Sequence, residues 1–148
     1  MAGFPSPTSI VMNTRLFLAV RVLTFLIGFL TVAWQILQAA TGNWANAFFF
    51  PDLIVGVPLT IATFFSASFV VELSWLVGLS SMSGIYLVSA IGAATEGMFT
   101  DSWGPTTTAI GLVACYPCMW VLSKRLVLRA GSSEAKALKA VDVEEGSG

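Results

Sequence analysis

Long hydrophobic runs separated by short polar stretches divide this sequence into four segments. A helix needs roughly 20 apolar residues, at about 1.5 Å rise per residue, to cross a hydrocarbon layer about 30 Å thick. The pattern predicts four such helices, at about residues 22–40, 53–70, 76–95 and 105–123. The fold class it indicates is an all-α integral membrane protein with four transmembrane helices.

The boundary between the second and third predicted helices depends on one charged residue. Glu72 is the only charge in residues 53–95, and a turn placed there leaves both helices long enough to span. The small residues at 80–84 are a rival breaker signal. At the start of the second helix, Pro51 cannot continue a helix backwards and Asp52 is a good N-cap.

The two ends of the chain differ from its centre in composition. Residues 1–12 are expected to form a flexible leader, and residues 131–148 a polar, disordered cytoplasmic tail. Residues 13–130 then form a single transmembrane domain. A cleaved signal peptide is the competing interpretation of the first helix, but its apolar run exceeds the 7 to 15 residues typical of signal sequences.

Basic residues predict the orientation. Short loops rich in Lys and Arg stay in the cytoplasm, and residues 41–52 and 96–104 contain neither. The basic residues that flank the predicted helices are Arg15, Arg21, Lys124, Arg125 and Arg129. We therefore expect an antiparallel bundle in a plasma or inner membrane, with both termini in the cytoplasm.

Composition narrows the classes of function. Hydrophobic residues make up 56% of the chain and charged residues 10%, against about 25% charged residues in a typical soluble domain. The chain has no histidine, which is the usual general base near neutral pH and a common haem ligand. The predicted spans also contain no charge of the kind that ion-coupled transporters hold at membrane depth. We expect a non-enzymatic protein without a cofactor.

Polar and small residues recur at steps of four and three along each predicted helix. Such stripes favour close helix packing, because helices in a bilayer associate through small residues and interhelical hydrogen bonds. The candidate site residues among the polar members of this predicted seam are Thr31, Gln35, Gln38, Thr60, Thr63 and Ser89. They are expected either to bond neighbouring helices or to line a polar pocket open to the outside.

One motif offers chemistry. Cys115 and Cys118 lie three residues apart on one face of the fourth predicted helix, with Met119 beside them. Thiolate and thioether ligands suit soft metals such as Cu(I), and a cysteine pair can cycle between dithiol and disulfide. The alternative is that both cysteines pack as small apolar residues within the seam.

Arg21 and Glu72 both fall at the predicted cytoplasmic boundary. They are candidates for an ion pair that ties the turn between the second and third helices to the start of the first. Alternatively, both side chains extend separately to the lipid headgroups.

The sequence predicts an accessory or scaffold subunit of a membrane complex, or a homo-oligomer. Its partners would be the lipid bilayer and other membrane subunits or further copies of itself, and no nucleic acid. The alternatives from other classes are a soft-metal or thiol-redox protein that uses the cysteines, and a passive carrier of a small neutral or lipid-like solute.

Overall fold

The fold is all-helical over the residues that the computed structural model describes, 14–42, 47–95 and 103–145. Four helices follow one another along the chain: α1 (Thr14–Ala40), α2 (Phe49–Ala62), α3 (Phe69–Thr95) and α4 (Trp103–Glu145). Three of them, α1, α3 and α4, are long and apolar enough to cross a membrane. The predictions of an all-helical fold and of membrane-spanning helices are confirmed to that extent. The predicted leader, residues 1–12, lies outside the described residues.

The end of α1 is set by a glycine. Gly42 has a φ of +85°, a left-handed conformation that costs glycine little and other residues much. The amides of Thr41 and Gly42 donate to the carbonyls of Leu37 and Ala39, at 3.1 and 3.0 Å. These bonds close the last turn of the helix.

Helix α2 is shorter than predicted, with 14 residues instead of the predicted span 53–70. Beyond Ala62, the amides of residues 63–65 donate to the carbonyl three residues earlier, a tighter pattern than that of an α-helix. At its predicted length this helix could span a membrane, whereas 14 residues rise only about 21 Å. The chain therefore turns earlier than the sequence indicated.

The turn between α2 and α3 occupies residues 63–68, and the predicted turn at Glu72 is wrong. Ser68 accepts a bond from the amide of Val71 on its side-chain oxygen, at 3.3 Å, and one from the amide of Glu72 on its carbonyl, at 2.9 Å. Ser68 thus caps α3, which begins at Phe69. Glu72 belongs to the first turn of that helix and not to a loop.

Helix α4 extends far past its predicted end at residue 123. It continues to Glu145 and includes Pro117. Residues 131–145 are therefore helical, in contrast to the predicted disordered tail. Residues of high helix propensity, including several alanines with Lys and Glu, are frequent in this stretch, which explains why the helix can continue once it has begun.

The helices pack in a ring, in which α1 and α3 each contact both α2 and α4. The interior side chains come from all four helices. The fully buried apolar residues of this interior include Trp75, Leu79, Met82, Cys115 and Leu122, and Ile27 and Leu59 are nearly fully buried. Many large apolar side chains remain exposed, including Leu30, Ile54, Val70 and Val113, and such an exterior suits lipid.

Helices α1 and α2 pack closely at a pair of glycines. A Cβ atom added to Gly28 would lie 2.6 Å from the side-chain oxygen of Thr60 and 3.1 Å from the backbone of Gly56 and Thr60. Gly56 is buried against Val32 in the same way, at 3.0 Å. Contacts of this kind between small residues supply the packing energy of membrane helices.

We expect Gly28→Ala to lower the thermal unfolding temperature of the purified protein, because the new methyl group overlaps Thr60 and the backbone of α2. Overpacking of this kind costs about 1–3 kcal/mol. The matched control is Gly84→Ala in α3, where an added Cβ meets no atom within 4 Å. Equal melting temperatures for the two variants would contradict the close packing of α1 on α2.

Candidate functional site: polar contacts between the helices

The seam between α1 and α2 ends in a buried amide–carboxylate contact. Gln35 donates through its side-chain nitrogen to Oδ2 of Asp52, and both residues are buried. Asp52 lies in the first turn of α2, where the helix dipole stabilises a negative charge. The second carboxylate oxygen of Asp52 is buried without a hydrogen-bond partner. Asp52, which the sequence predicted as a cap, therefore joins two helices.

Midway along α1, a second polar contact joins α1 to α3. The hydroxyl groups of Thr31 and Tyr86 lie 2.5 Å apart, and Thr31 also donates to the carbonyl of Ile27 at 2.8 Å. The ring of Tyr86 covers Gly111 of α4, since a Cβ added there would lie 2.7 Å from the ring. One tyrosine thus brings three helices together.

The other predicted seam residues are satisfied within their own helices or are only partly buried. Thr60 and Thr63 donate to the carbonyls of Gly56 and Thr60, at 2.7 and 2.6 Å. The carbonyl of Gln38 accepts a bond from the Thr41 hydroxyl, and Ser89 is half-buried. The structure therefore brings the side chains of Thr31 and Gln35 into interhelical hydrogen bonds, and shows no interhelical bond of the Thr60, Thr63 or Ser89 hydroxyl groups.

The two cysteines lie in the interior as free thiols. Cys115 and Cys118 are 0% and 1% exposed, within the cluster that includes Met82 and Leu122. The sulfur of Met119 is 3.3 Å from the hydroxyl of Ser80 on α3. Among the described residues, no three His, Cys, Asp or Glu side chains group together as metal ligands would. The soft-metal and thiol-redox hypotheses remain predictions.

A charged cluster occupies the end of the bundle where α3 begins. Glu72, which is fully buried, forms ion pairs through Oε1 with Nε of Arg125 at 2.8 Å and with Nη2 of Arg129 at 3.3 Å. Its other oxygen, Oε2, is buried without a hydrogen bond. Burial of a carboxylate is tolerated only beside opposite charge, which the two arginines of α4 provide.

Aromatic rings hold Arg125 in place. Its guanidinium group lies 3.8 Å from the centre of the Phe17 ring, a cation–π geometry. Phe17 is in turn stacked on Trp75 of α3, with 5.7 Å between ring centres. Side chains from α1, α3 and α4 therefore meet around Glu72.

The structure does not bring the predicted ion pair of Arg21 and Glu72 together. Arg21 donates to the carbonyls of Thr63 and Phe65, at 2.6 and 3.2 Å, and so closes the C-terminal end of α2. The difference follows from the earlier turn. Because the chain turns at residues 63–68, that turn meets Arg21, while Glu72 lies inside α3 and faces α4.

Sequence reasoning missed several of these side chains. Phe17, Trp75 and Tyr86 were not among the candidate residues, because nothing in a single sequence shows which aromatic residues meet across helices. One signal for the turn was available, however. Ser68 precedes a long apolar run and is followed by Glu72, a combination typical of a helix start.

An apolar groove lies between α2 and α3 on the outer surface. It has a volume of about 410 Å³, and Pro58 and Leu59 of α2 form one side. On the α3 side, the small residues Ser74, Gly78 and Ser81 alternate with the larger side chains of Val70, Leu73 and Val77. The hydroxyl groups of both serines donate to carbonyls of their own helix, those of Val70 and Val77. A neighbouring helix could therefore approach the α3 backbone at these serines without leaving their hydroxyl groups unpaired.

Comparison with known proteins assigns no family to the chain: no family model, curated protein or solved structure matches it.

The ion pairs of Glu72 can be measured with a double-mutant cycle on thermal or denaturant unfolding. We expect Glu72→Gln and Arg125→Gln to be coupled by about 0.5–3 kcal/mol, because each removes the partner of the other. Arg21→Gln is the matched control, since Arg21 bonds the end of α2. Strict additivity for Glu72 and Arg125, or equal coupling of Glu72 to Arg21, would contradict the observed pairing.

Proposed function

We propose that the chain is a small, non-enzymatic polytopic membrane protein that acts by packing against a transmembrane helix of a partner. It would serve as an accessory or scaffold subunit of a membrane complex, or assemble with further copies of itself. The proposal concerns the groove between α2 and α3, defined by Pro58, Leu59, Ser74, Gly78 and Ser81.

The use of the buried polar groups supports this proposal. Gln35 and Asp52 join α1 to α2, Thr31 and Tyr86 join α1 to α3, and Glu72 joins α3 to α4. These side chains hold the bundle together, so the interior polar groups have a structural use that requires no substrate. The function is therefore best sought on the outer surface, in the groove between α2 and α3 where a neighbouring helix could pack.

The groove has the character of a helix-packing site. Small residues at steps of four and three let another backbone approach closely, which is how helices associate within a bilayer. Gly78 is already packed by Leu59 of the same chain, since a Cβ added to Gly78 would lie 2.8 Å from the Leu59 side chain. The occupant that fits is an apolar helix that packs over Leu59 and contacts Ser74 and Ser81.

Within this proposal, all four helices cross the membrane and adjacent helices run antiparallel. Helix α2 rises only about 21 Å, so it would cross with the help of the tight turns that follow it at residues 63–65. Contacts that pair Gln35 with Asp52 and Arg21 with Thr63 favour α1 and α2 lying side by side in opposite directions. Four crossings, with Arg15 and Arg21 near the start of α1 and further basic residues in α4, would place both termini in the cytoplasm.

Reporter fusions test this topology. We expect a cytoplasmic reporter such as green fluorescent protein to be active at either terminus, and alkaline phosphatase, which needs an oxidising compartment, to be inactive at both. An active phosphatase at one terminus only would mean an odd number of crossings, with α2 not spanning.

Site-directed cross-linking in native membranes tests the groove. With the photoreactive residue p-benzoylphenylalanine in place of Ser81, which inserts into C–H bonds of any adjacent side chain, we expect a cross-linked species on irradiation. The matched control carries the same residue in place of Val113, which is exposed on α4 outside the groove.

The mass of the adduct separates the two kinds of partner. A species of twice the chain mass would identify a second copy, and any other discrete mass a different subunit. No adduct at residue 81, or equal adducts at both positions, would refute the groove as the interface.

A further inference from the structure

The charge balance around Glu72 is incomplete. Two guanidinium groups, those of Arg125 and Arg129, share the single oxygen Oε1 of one carboxylate. One positive charge is therefore left over in a cluster whose acidic member is fully buried. No other carboxylate is ion-paired with either arginine among the described residues.

The arrangement also leaves donors facing outward. Arg129 contacts Glu72 through Nη2 at 3.3 Å, and its side chain is 35% exposed, compared with 21% for Arg125. A guanidinium group has five N–H donors in a planar fork, which matches the oxygens of a phosphate group. Both arginines are one helical turn apart on α4, so their outward donors lie on the same face.

The surroundings place this face at the level of lipid headgroups. Trp120, one turn before Lys124, is 64% exposed, and the Lys124 amine lies 6.0 Å from the centre of its ring. Exposed tryptophan beside basic residues is typical of the membrane interface. A phosphate at this depth belongs most naturally to a phospholipid.

We propose that Arg129, together with Arg125, binds the phosphate of an anionic phospholipid, and that this phosphate completes the charge balance of the Glu72 cluster. The site is independent of the α2–α3 groove. A lipid whose headgroup has a net negative charge, such as phosphatidylglycerol, is preferred over phosphatidylcholine, whose choline group cancels the phosphate charge. The negative headgroup neutralises the excess positive charge of the two arginines. Arg125 is fixed by Phe17 and Glu72, so the site is partly preorganised.

Native mass spectrometry of the full-length, delipidated protein in neutral detergent tests the assignment. The probes are phosphatidylglycerol and phosphatidylcholine with identical acyl chains. We expect the wild type to retain one phosphatidylglycerol in preference to phosphatidylcholine, and Arg129→Gln to bind it about fivefold more weakly, the change equivalent to about 1 kcal/mol.

The matched control is Lys124→Gln, which removes the same charge from the neighbouring turn without touching Glu72. We expect it to keep the preference for phosphatidylglycerol. Equal losses in the two variants, or no preference in the wild type, would overturn the site and leave only diffuse attraction of basic residues to anionic lipid.

Two further measurements test the phosphate contact of Arg129 and the source of the phosphate. Arg129→Lys retains the charge beside Glu72 but lacks the planar fork, so we expect a folded protein with weaker phosphatidylglycerol binding; unchanged binding would overturn the proposed phosphate contact. Inorganic phosphate is the second probe, and thermal stabilisation by it equal to that by phosphatidylglycerol would overturn the lipid assignment in favour of a soluble phosphate ligand.

Discussion

The absence of water from a bilayer is the constraint on which this structure depends. A polar side chain in hydrocarbon must find its partner within the protein, at a cost of several kcal/mol if it does not. The paired side chains of Gln35 and Asp52, and of Thr31 and Tyr86, meet this requirement between different helices. Glu72, buried within the protein at the end of the bundle where α3 begins, meets it through Arg125 of α4. Their pairing fixes the positions of the helices relative to one another.

Polar and small residues have different roles in these contacts. Individual interhelical hydrogen bonds in membranes contribute only about 0.6 kcal/mol on average, so they act mainly to select one arrangement among several. Close packing at Gly28 and Gly56 supplies contact area between α1 and α2. The buried Glu72 is the most demanding group, because removal of its arginines would leave a charge without compensation.

Local patterns in the sequence predict much of this fold. Hydrophobic runs indicated four helices, and the steps of four and three along the first helix identified Thr31 and Gln35, both of which are buried. These inferences work because helix periodicity and the apolar requirement of the bilayer are local properties of the chain. They cannot reveal which helix supplies the partner, as the Tyr86 contact shows.

Glu72 illustrates the limit most clearly. As the only charge in a long apolar stretch, it indicated a turn, and the nearest basic residue in the predicted topology was Arg21. Its actual partners lie 53 and 57 residues further along the chain, on α4. A charged residue can lie in a buried helix when residues distant in the sequence compensate its charge. A single sequence does not show which residues these are. The same holds for the α2–α3 groove, whose two sides come from different helices.

The proposed role as a packing partner is tested most directly by the mass of the particle extracted from its native membrane. Polymer-bounded nanodiscs extract the protein together with its neighbours and without detergent, and the mass of the protein in each particle can be measured. We expect a discrete assembly that contains more than one 15.7 kDa chain, or this chain together with another subunit. A population consisting of single chains alone would contradict it.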